Sequence, residues 1–142
     1  MNIILCDDNL LHLEYALSTV KKALDGRDAQ FYCYHCSKDV LNLLSDITFI
    51  PHIAILDIEL DGNNGIQIAK QFNERFPQCQ IIFLSAYPLY APEVYLTNHL
   101  WFVLKNRMDE FLPQALKKAV AGLDSSSKAL SITVKQKHTY QK

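Results

Sequence analysis

Acidic, hydroxyl and basic side chains each follow a separate apolar run of the sequence. Asp7 and Asp8 follow the first run, and Asp57, Ser85 and Lys105 follow three later ones. Three carboxylates brought close together repel one another unless a cation neutralises them, and oxygen ligands of this kind suit Mg²⁺. A hydroxyl and an ammonium beside that metal are suited to bind an anion. The combination predicts phosphoryl transfer, in which a protein mainly positions groups and stabilises charge.

The source of the phosphoryl group is restricted by the motifs that the sequence lacks. Neither a Walker A pattern nor GxGxxG occurs, so no motif is present to hold a nucleotide. We therefore expect the group to arrive on another molecule and to be accepted by a carboxylate. Asp57 is the best candidate, because it is the single acid at the end of the run predicted to be most buried. Two of these residues also have a purely structural interpretation. In it, Asp8 caps the first helix and Lys105 is a solvated residue at the end of a strand.

Apolar runs alternate with segments of helical periodicity, which predicts five strands and five helices. Such alternation favours a parallel sheet covered on both faces. Right-handed crossovers then restrict the fold to a doubly wound, flavodoxin-like α/β domain, (βα)5, with strand order 2-1-3-4-5. In this fold the carboxyl ends of the strands meet at one edge, where the polar residues above would converge. The predicted strands are 2–6, 29–35, 53–56, 80–84 and 100–104, and the predicted helices are 10–24, 38–46, 64–76, 92–98 and 109–121.

The charges divide the 142 residues into two unequal parts. All 15 acidic residues precede position 125, whereas the last 18 residues contain four lysines and no acid. Ser125, Ser126 and Ser127 are typical of a linker at this junction. No basic leader opens the chain, and no apolar run approaches the roughly 18 residues of a membrane span, so we expect a cytoplasmic protein without membrane contact.

The residues at the strand ends resemble those of the receiver domain of bacterial response regulators. The resemblance covers residues 1–122 and rests on ILCDDN, ILDIELDGNNGI, FLSAY and FVLK, in this order and spacing. The stretch SAYPLYAPEVY is most similar to receivers of the LytTR (LytR/AgrA-like) transcription regulators. The segment ALSITVK resembles the start of their DNA-binding domain. We therefore expect residues 123–142 to be a linker and the start of that domain, most of which lies outside this chain.

The resemblance implies a role for each site residue. Asp57 would accept a phosphoryl group from the phosphohistidine of a sensor histidine kinase. The family also has a metal site, phosphate contacts, a switch pair and a glycine in the loop after the phosphorylation site. On this chain the Mg²⁺ ligands would be Asp7, Asp8, Asp57 and the main-chain carbonyl of Glu59; the phosphate contacts Ser85, Ala86 and Lys105; the switch residues Ser85 and Phe102; and the loop glycine Gly65.

The resemblance also implies partners and an output. Phosphorylation would favour a homodimer through the face made by the predicted fourth helix, fifth strand and fifth helix, close to Trp101. DNA would be bound only through the missing C-terminal domain. A receiver of this kind is a signalling domain, not an enzyme, apart from its own phosphorylation and dephosphorylation.

Two other functions are compatible with part of this residue pattern. A phosphatase of the haloacid dehalogenase type also uses an Asp nucleophile, but Glu59 stands where that class has its general acid, and its nucleophile follows the first strand. A pseudo-receiver would bind partners without phosphorylation. Its best support is Asn106, which replaces the proline that commonly follows the site lysine after a cis peptide bond. A cis bond before a residue other than proline costs roughly 3–4 kcal/mol.

Overall fold

A central sheet of five parallel strands organises the computed structural model, which describes residues 1–61, 63–88 and 92–140. The strand order is β2-β1-β3-β4-β5, which confirms the predicted topology. β3 lies at the centre, and all five of its residues are buried. The strands are β1 (Asn2–Cys6), β2 (Gln30–Tyr34), β3 (Ile53–Asp57), β4 (Gln80–Ser85) and β5 (Trp101–Leu104).

Helices cover both faces of this sheet, because successive strand side chains point to opposite sides. Ile3 and Leu5 of β1 enter one core cluster with the helix Leu10–Ala23 and the C-terminal helix, whereas Ile4 and Cys6 enter the other cluster with the helix Gly65–Arg75. The helical segments are α1 (Leu10–Ala23), α2 (Ser37–Leu41), the 3₁₀ turn Asn42–Ser45, α3 (Gly65–Arg75), the 3₁₀ turns Glu93–Leu96 and Lys105–Arg107, and the C-terminal helix (Met108–Tyr140).

The predicted fourth helix, 92–98, is only a 3₁₀ turn over Glu93–Leu96. The main-chain amide and the hydroxyl of Thr97 both donate to the carbonyl of Val94, which closes the turn instead of continuing it. Asn98 is then held by α3, since Asn73 accepts from its amide at 2.8 Å and donates to its carbonyl at 2.9 Å. These tertiary contacts outweigh the local helical pattern.

The C-terminal helix continues beyond Ala121, where the pattern predicts its end. It runs through the serines at 125–127 to Tyr140. No Gly or Pro occurs between residues 123 and 140, and serine is only moderately unfavourable in a helix, so the sequence contains no strong stop signal. The assignment of residues 123–142 to a linker and the start of a DNA-binding domain stays a prediction.

A short antiparallel pair of two-residue strands lies between β3 and α3. Glu59 pairs with Asn64 and Leu60 with Asn63. The periodicity of the sequence does not predict this pair, which shapes the loop after Asp57. Among the helices in the described parts of the chain, none is long and apolar enough to cross a membrane.

Candidate functional site

Two buried carboxylates lie side by side at the carboxyl edge of the sheet. Cys6 of β1 pairs with Leu56 of β3, so Asp7 and Asp57 come next on neighbouring parallel strands. Each is only 2% exposed. Asp8 is exposed, yet one oxygen from each of the three aspartates lies within 4.8 Å of the others. The structure thus brings together the three carboxylates that the sequence predicts to converge.

Lys105 reaches into this cluster from the end of β5. Its Nζ lies 2.8 Å from Oδ2 of Asp7 and 3.2 Å from Oδ2 of Asp57. Its side chain is 11% exposed, so the interpretation as a solvated end residue is wrong. The peptide bond to Asn106 is trans, like every other peptide bond in the described residues. The lysine therefore reaches the carboxylates without the family's cis bond.

Asn9, and not Asp8, caps the first helix. The Asn9 side chain accepts a hydrogen bond from the amide of His12 at 3.1 Å, while Oδ1 of Asp7 accepts from the amide of Asn9 at 2.9 Å. Asn is among the preferred N-cap residues. The turn between β1 and α1 is thereby fixed to one of the buried carboxylates, which leaves the Asp8 side chain at the surface of the cluster.

The donor set and its burial fit a hard divalent cation. Oδ2 of Asp7 is buried without a hydrogen-bond partner of good geometry, although it lies in ion-pair range of Lys105. A buried carboxylate oxygen in this state is costly unless a cation compensates it. Oxygen ligands from Asp7, Asp8 and Asp57, completed by water, would suit Mg²⁺.

Burial and mutual repulsion make Asp57 hard to ionise. Burial is the largest cause, and the neighbouring charge of Asp7 adds to it, so the pKa of Asp57 rises to about 7 despite the opposing effect of Lys105. Burial lowers the pKa of Lys105, but the carboxylates of Asp7 and Asp57 outweigh it and hold that pKa above its usual value. Without a metal, the lysine ammonium is thus the main compensating charge among the described residues of the site.

The loop after Asp57 lies against the main chain of the acceptor residue. Oδ1 of Asp57 accepts from the amide of Glu59 at 3.2 Å, and the amide of Gly65 donates to the carbonyl of Ile58 at 2.7 Å. A Cβ at position 65 would overlap the carbonyl oxygen of Asp57 and lie 2.9 Å from Cα of Ile58. Only glycine fits there, so the predicted loop glycine has a steric reason for its position.

The predicted switch residues, Ser85 and Phe102, lie on the neighbouring strands β4 and β5. Ser85 is fully buried at the end of β4, and its Oγ donates to the carbonyl of Tyr87 at 3.1 Å and accepts from its amide at 3.0 Å. Ala86 is exposed between them. Phe102 pairs in register with Phe83 and is half-buried against the core cluster on the α3 side of the sheet. The Ser85 hydroxyl is therefore engaged by its own loop.

His12 is a site residue that the sequence analysis missed. Its Nδ1 lies 3.0 Å from Nζ of Lys105. The residue stands on α1, 93 positions from the lysine, and its contact depends on where a long side chain ends. Strand-end residues can be found from topology, but the one available signal for His12 is its place in the first turn of the helix that follows Asp7 and Asp8.

Two bacterial regulatory proteins are similar to this chain in sequence. The positive alginate biosynthesis regulatory protein of Pseudomonas aeruginosa is 30% identical over 119 residues, which are 84% of this chain and 47% of that protein. The sensory transduction protein LytT of Bacillus cereus is 30% identical over 121 residues, or 83% of this chain and 46% of LytT. The chain thus spans about half the length of the curated relatives that it matches.

The solved structures include close matches in fold. The response regulatory domain of protein mrkE from Klebsiella pneumoniae superposes with a TM-score of 0.77 at 17% identity, covering 88% of this chain and 99% of that one. No family model matches the chain. The resemblance seen in the sequence is nevertheless confirmed: over most of its length the chain is similar to LytT-like regulators, and its fold is that of a response regulator receiver domain.

Proposed function

We propose that Asp57 accepts a phosphoryl group from the phosphohistidine of a sensor histidine kinase in a Mg²⁺-dependent reaction. The observation that carries this proposal is the pair of buried carboxylates, Asp7 and Asp57, bridged by the ammonium of Lys105. Such a cluster is costly to bury unless cations compensate the carboxylates. The chain would thus be a signalling domain that modifies itself and has no separate substrate to turn over.

The chemistry assigns a task to each side chain. An oxygen of Asp57 forms the new P–O bond while the P–N bond of the phosphohistidine breaks, and the electron pair of that bond stays on the imidazole nitrogen. Asp7, Asp8, Asp57 and the main-chain carbonyl of Glu59 would hold the metal, which supplies charge neutralisation between the carboxylates and the incoming phosphoryl group.

Lys105 and the loop after β4 would contact the transferred phosphoryl group. The lysine exchanges its contact with the Asp57 carboxylate for a phosphoryl oxygen, which is a short movement from its position 3.2 Å away. Ser85 leaves the carbonyl of Tyr87 and donates to a second phosphoryl oxygen, helped by the amide of Ala86. Phe102 then turns inward. A local charge change would thereby select one of two packings of this edge.

The output would be dimerisation followed by DNA binding. We define the dimer face as the turn Glu93–Leu96, β5 and the exposed side of the C-terminal helix, the counterparts of the predicted fourth helix, fifth strand and fifth helix. Tyr95 is 81% and Leu96 69% exposed there, and Tyr95 lines a surface cavity of about 470 Å³ that also includes Trp101. DNA contact would belong to the part of the protein outside this chain.

Intact-mass spectrometry after incubation with acetyl phosphate and Mg²⁺ tests the proposal. We expect one added phosphoryl group on the wild type, none after Asp57→Asn, and none when EDTA removes the metal. Asp25→Asn is the matched control, because Asp25 is an exposed aspartate beyond the far end of α1.

Each contrary outcome identifies a different function. An unmodified wild type would contradict phosphoryl acceptance and favour the pseudo-receiver. Adduct formation that persists after Asp57→Asn would assign the nucleophile elsewhere. Steady hydrolysis of p-nitrophenyl phosphate would favour the phosphatase, although the candidate nucleophile here ends the third strand and not the first.

A further inference from the structure

His12 lies at the mouth of the site, and the proposed function gives it no role. It is the third residue of α1 and is exposed, and the capping hydrogen bond from its amide to Asn9 fixes its main chain. Its Nδ1 lies 3.0 Å from Nζ of Lys105. The first turn of α1 is thereby tied to the lysine that bridges the buried carboxylates.

The chemistry of the pair determines which atom donates. A lysine ammonium has three protons and no lone pair, so it can only donate. Nδ1 of His12 must then be the acceptor, which places the imidazole in its neutral form with the proton on Nε2. The ammonium thus has three close neighbours: it forms hydrogen bonds with Nδ1 of His12 at 3.0 Å and Oδ2 of Asp57 at 3.2 Å, and an ion pair with Oδ2 of Asp7 at 2.8 Å.

The three neighbours differ in what else they must do. Asp7 and Asp57 are the carboxylates that the cation and the phosphoryl group would also use, so their contacts with Lys105 are open to competition. His12 is neutral, stands outside the carboxylate cluster and has no charge to share. It can therefore go on accepting a hydrogen bond from the ammonium while the carboxylates change partners.

We propose that His12 is a positioning residue for Lys105. It holds the ammonium at the mouth of the site while the carboxylates change partners, so that the lysine meets the incoming phosphoryl oxygens in a fixed orientation. This role rests on the proposed phosphorylation of Asp57. It concerns a residue of α1 that lies outside the metal ligands and phosphate contacts given above.

Two substitutions separate the hydrogen bond from the bulk of the side chain. His12→Asn retains an acceptor, since its Oδ1 is separated from Cα by the same number of bonds as Nδ1. His12→Leu fills similar space without one. We expect the maximal rate of acetyl phosphate modification at saturating Mg²⁺ to fall about three- to tenfold in His12→Leu. His12→Asn should restore most of that rate, and thermal unfolding should show both variants folded.

A second readout needs neither metal nor phosphate. In metal-free protein, ¹H–¹⁵N spectra of the imidazole should show the Nε2–H tautomer of His12. Lys105→Met should change the Nδ1 resonance, because it removes the donor. A Nδ1–H tautomer, or a resonance that ignores Lys105→Met, would overturn the hydrogen bond and the proposal with it.

The two readouts also distinguish the ways in which the idea can fail. If wild type accepts phosphate and the spectra show the contact, but His12→Leu reacts at the wild-type rate, the positioning role alone is wrong. If wild type accepts no phosphate, the proposed function fails, and the positioning role falls with it even where the contact exists.

Discussion

The negative charge of Asp57 destabilises the folded protein when no metal is bound. Its carboxyl group is 2% exposed, lies beside another buried aspartate and has a pKa of about 7. Ionisation of such a group favours the unfolded chain, where the carboxyl is solvated and its pKa is roughly 3.9. The ionised carboxylate that phosphoryl acceptance requires at this position therefore lowers the stability of the fold.

Asp57→Asn should stabilise the metal-free protein. Because the folded pKa is raised, the penalty is absent near pH 4, grows as the pH rises toward 7 and is complete above it. We expect the free energy of unfolding at pH 8 to rise by about 1–3 kcal/mol, with almost no difference near pH 4. Urea unfolding in EDTA at several pH values measures it.

Glu74→Gln on α3 is the control for this stability measurement, since Glu74 is an exposed acid. Addition of Mg²⁺ should stabilise wild type more than Asp57→Asn, since the neutral amide of the variant is a weaker ligand than a carboxylate. A variant less stable than wild type at pH 8 without metal would contradict the repulsion described here.

Residues at strand ends could be predicted from the sequence, whereas their side-chain partners could not. Asp7, Asp57 and Lys105 follow from chain direction, because the carboxyl ends of parallel strands share an edge. The contact of His12 and the engagement of Ser85 with Tyr87 depend on side-chain paths. The hydrophobic periodicity of a sequence does not predict where a side chain ends, so these contacts are found only in the structure.

At the scale of elements, the start of α3 packs directly against β3, the strand that ends in Asp57. Asn64 caps α3 by accepting from the amide of Ile66, and Gly65 lies against the peptide of Asp57. No side chain separates the helix start from that peptide. The position of α3 therefore depends on the absence of a single Cβ.

Gly65→Ala and Gly122→Ala should have opposite effects. The first places a Cβ into the main chain of Asp57 and Ile58 and should destabilise the fold by about 2 kcal/mol or more. The second adds a Cβ inside the C-terminal helix, 3.5 Å from Nε2 of Gln80, which is an ordinary contact. It should stabilise by about 0.5–1 kcal/mol.

Urea unfolding of the two glycine variants measures both effects. Calorimetric titration with Mg²⁺ should also show weaker binding in Gly65→Ala, because the displaced loop carries Glu59. Equal stability of the two variants would contradict the close packing at position 65.

The elements with strong apolar runs matched their predicted bounds within a residue or two, as in β3 and β4. Apart from the greater length of the C-terminal helix, two features did not follow from local pattern. The turn at Glu93–Leu96 is cut short by Thr97 and by the contacts of Asn98 with α3. The pair of two-residue strands after Asp57 depends on the approach of Gly65, which is a tertiary effect.

At the scale of the whole molecule, the proposed dimer face is made of other elements than β1 and β3, which carry the buried carboxylates. It carries the exposed Tyr95 and Leu96, together with Lys118, whose ammonium lies 5.5 Å above the ring of Trp101. Apolar side chains with a basic rim are suited to a protein partner. Coupling between site and face would run along β4 and β5.

Beryllofluoride with Mg²⁺ should convert the protein from monomer to dimer in sedimentation velocity. Leu96→Arg should raise the dissociation constant of that dimer about tenfold or more, because a charge would be buried at the interface. Ile47→Arg is the control, since Ile47 is 86% exposed outside the dimer face. A dimer unaffected by Leu96→Arg would place the interface elsewhere.

The complete burial of β3 also has a consequence for how such proteins diversify. The strand that bears Asp57 lies between β1 and β4 and has all five of its residues buried, so only its carboxyl end is close to the surface where a partner would bind. Substitutions on the outer helix faces can accumulate without moving the carboxylates. The surface that selects a partner could therefore change over evolutionary time without any change at the reactive centre.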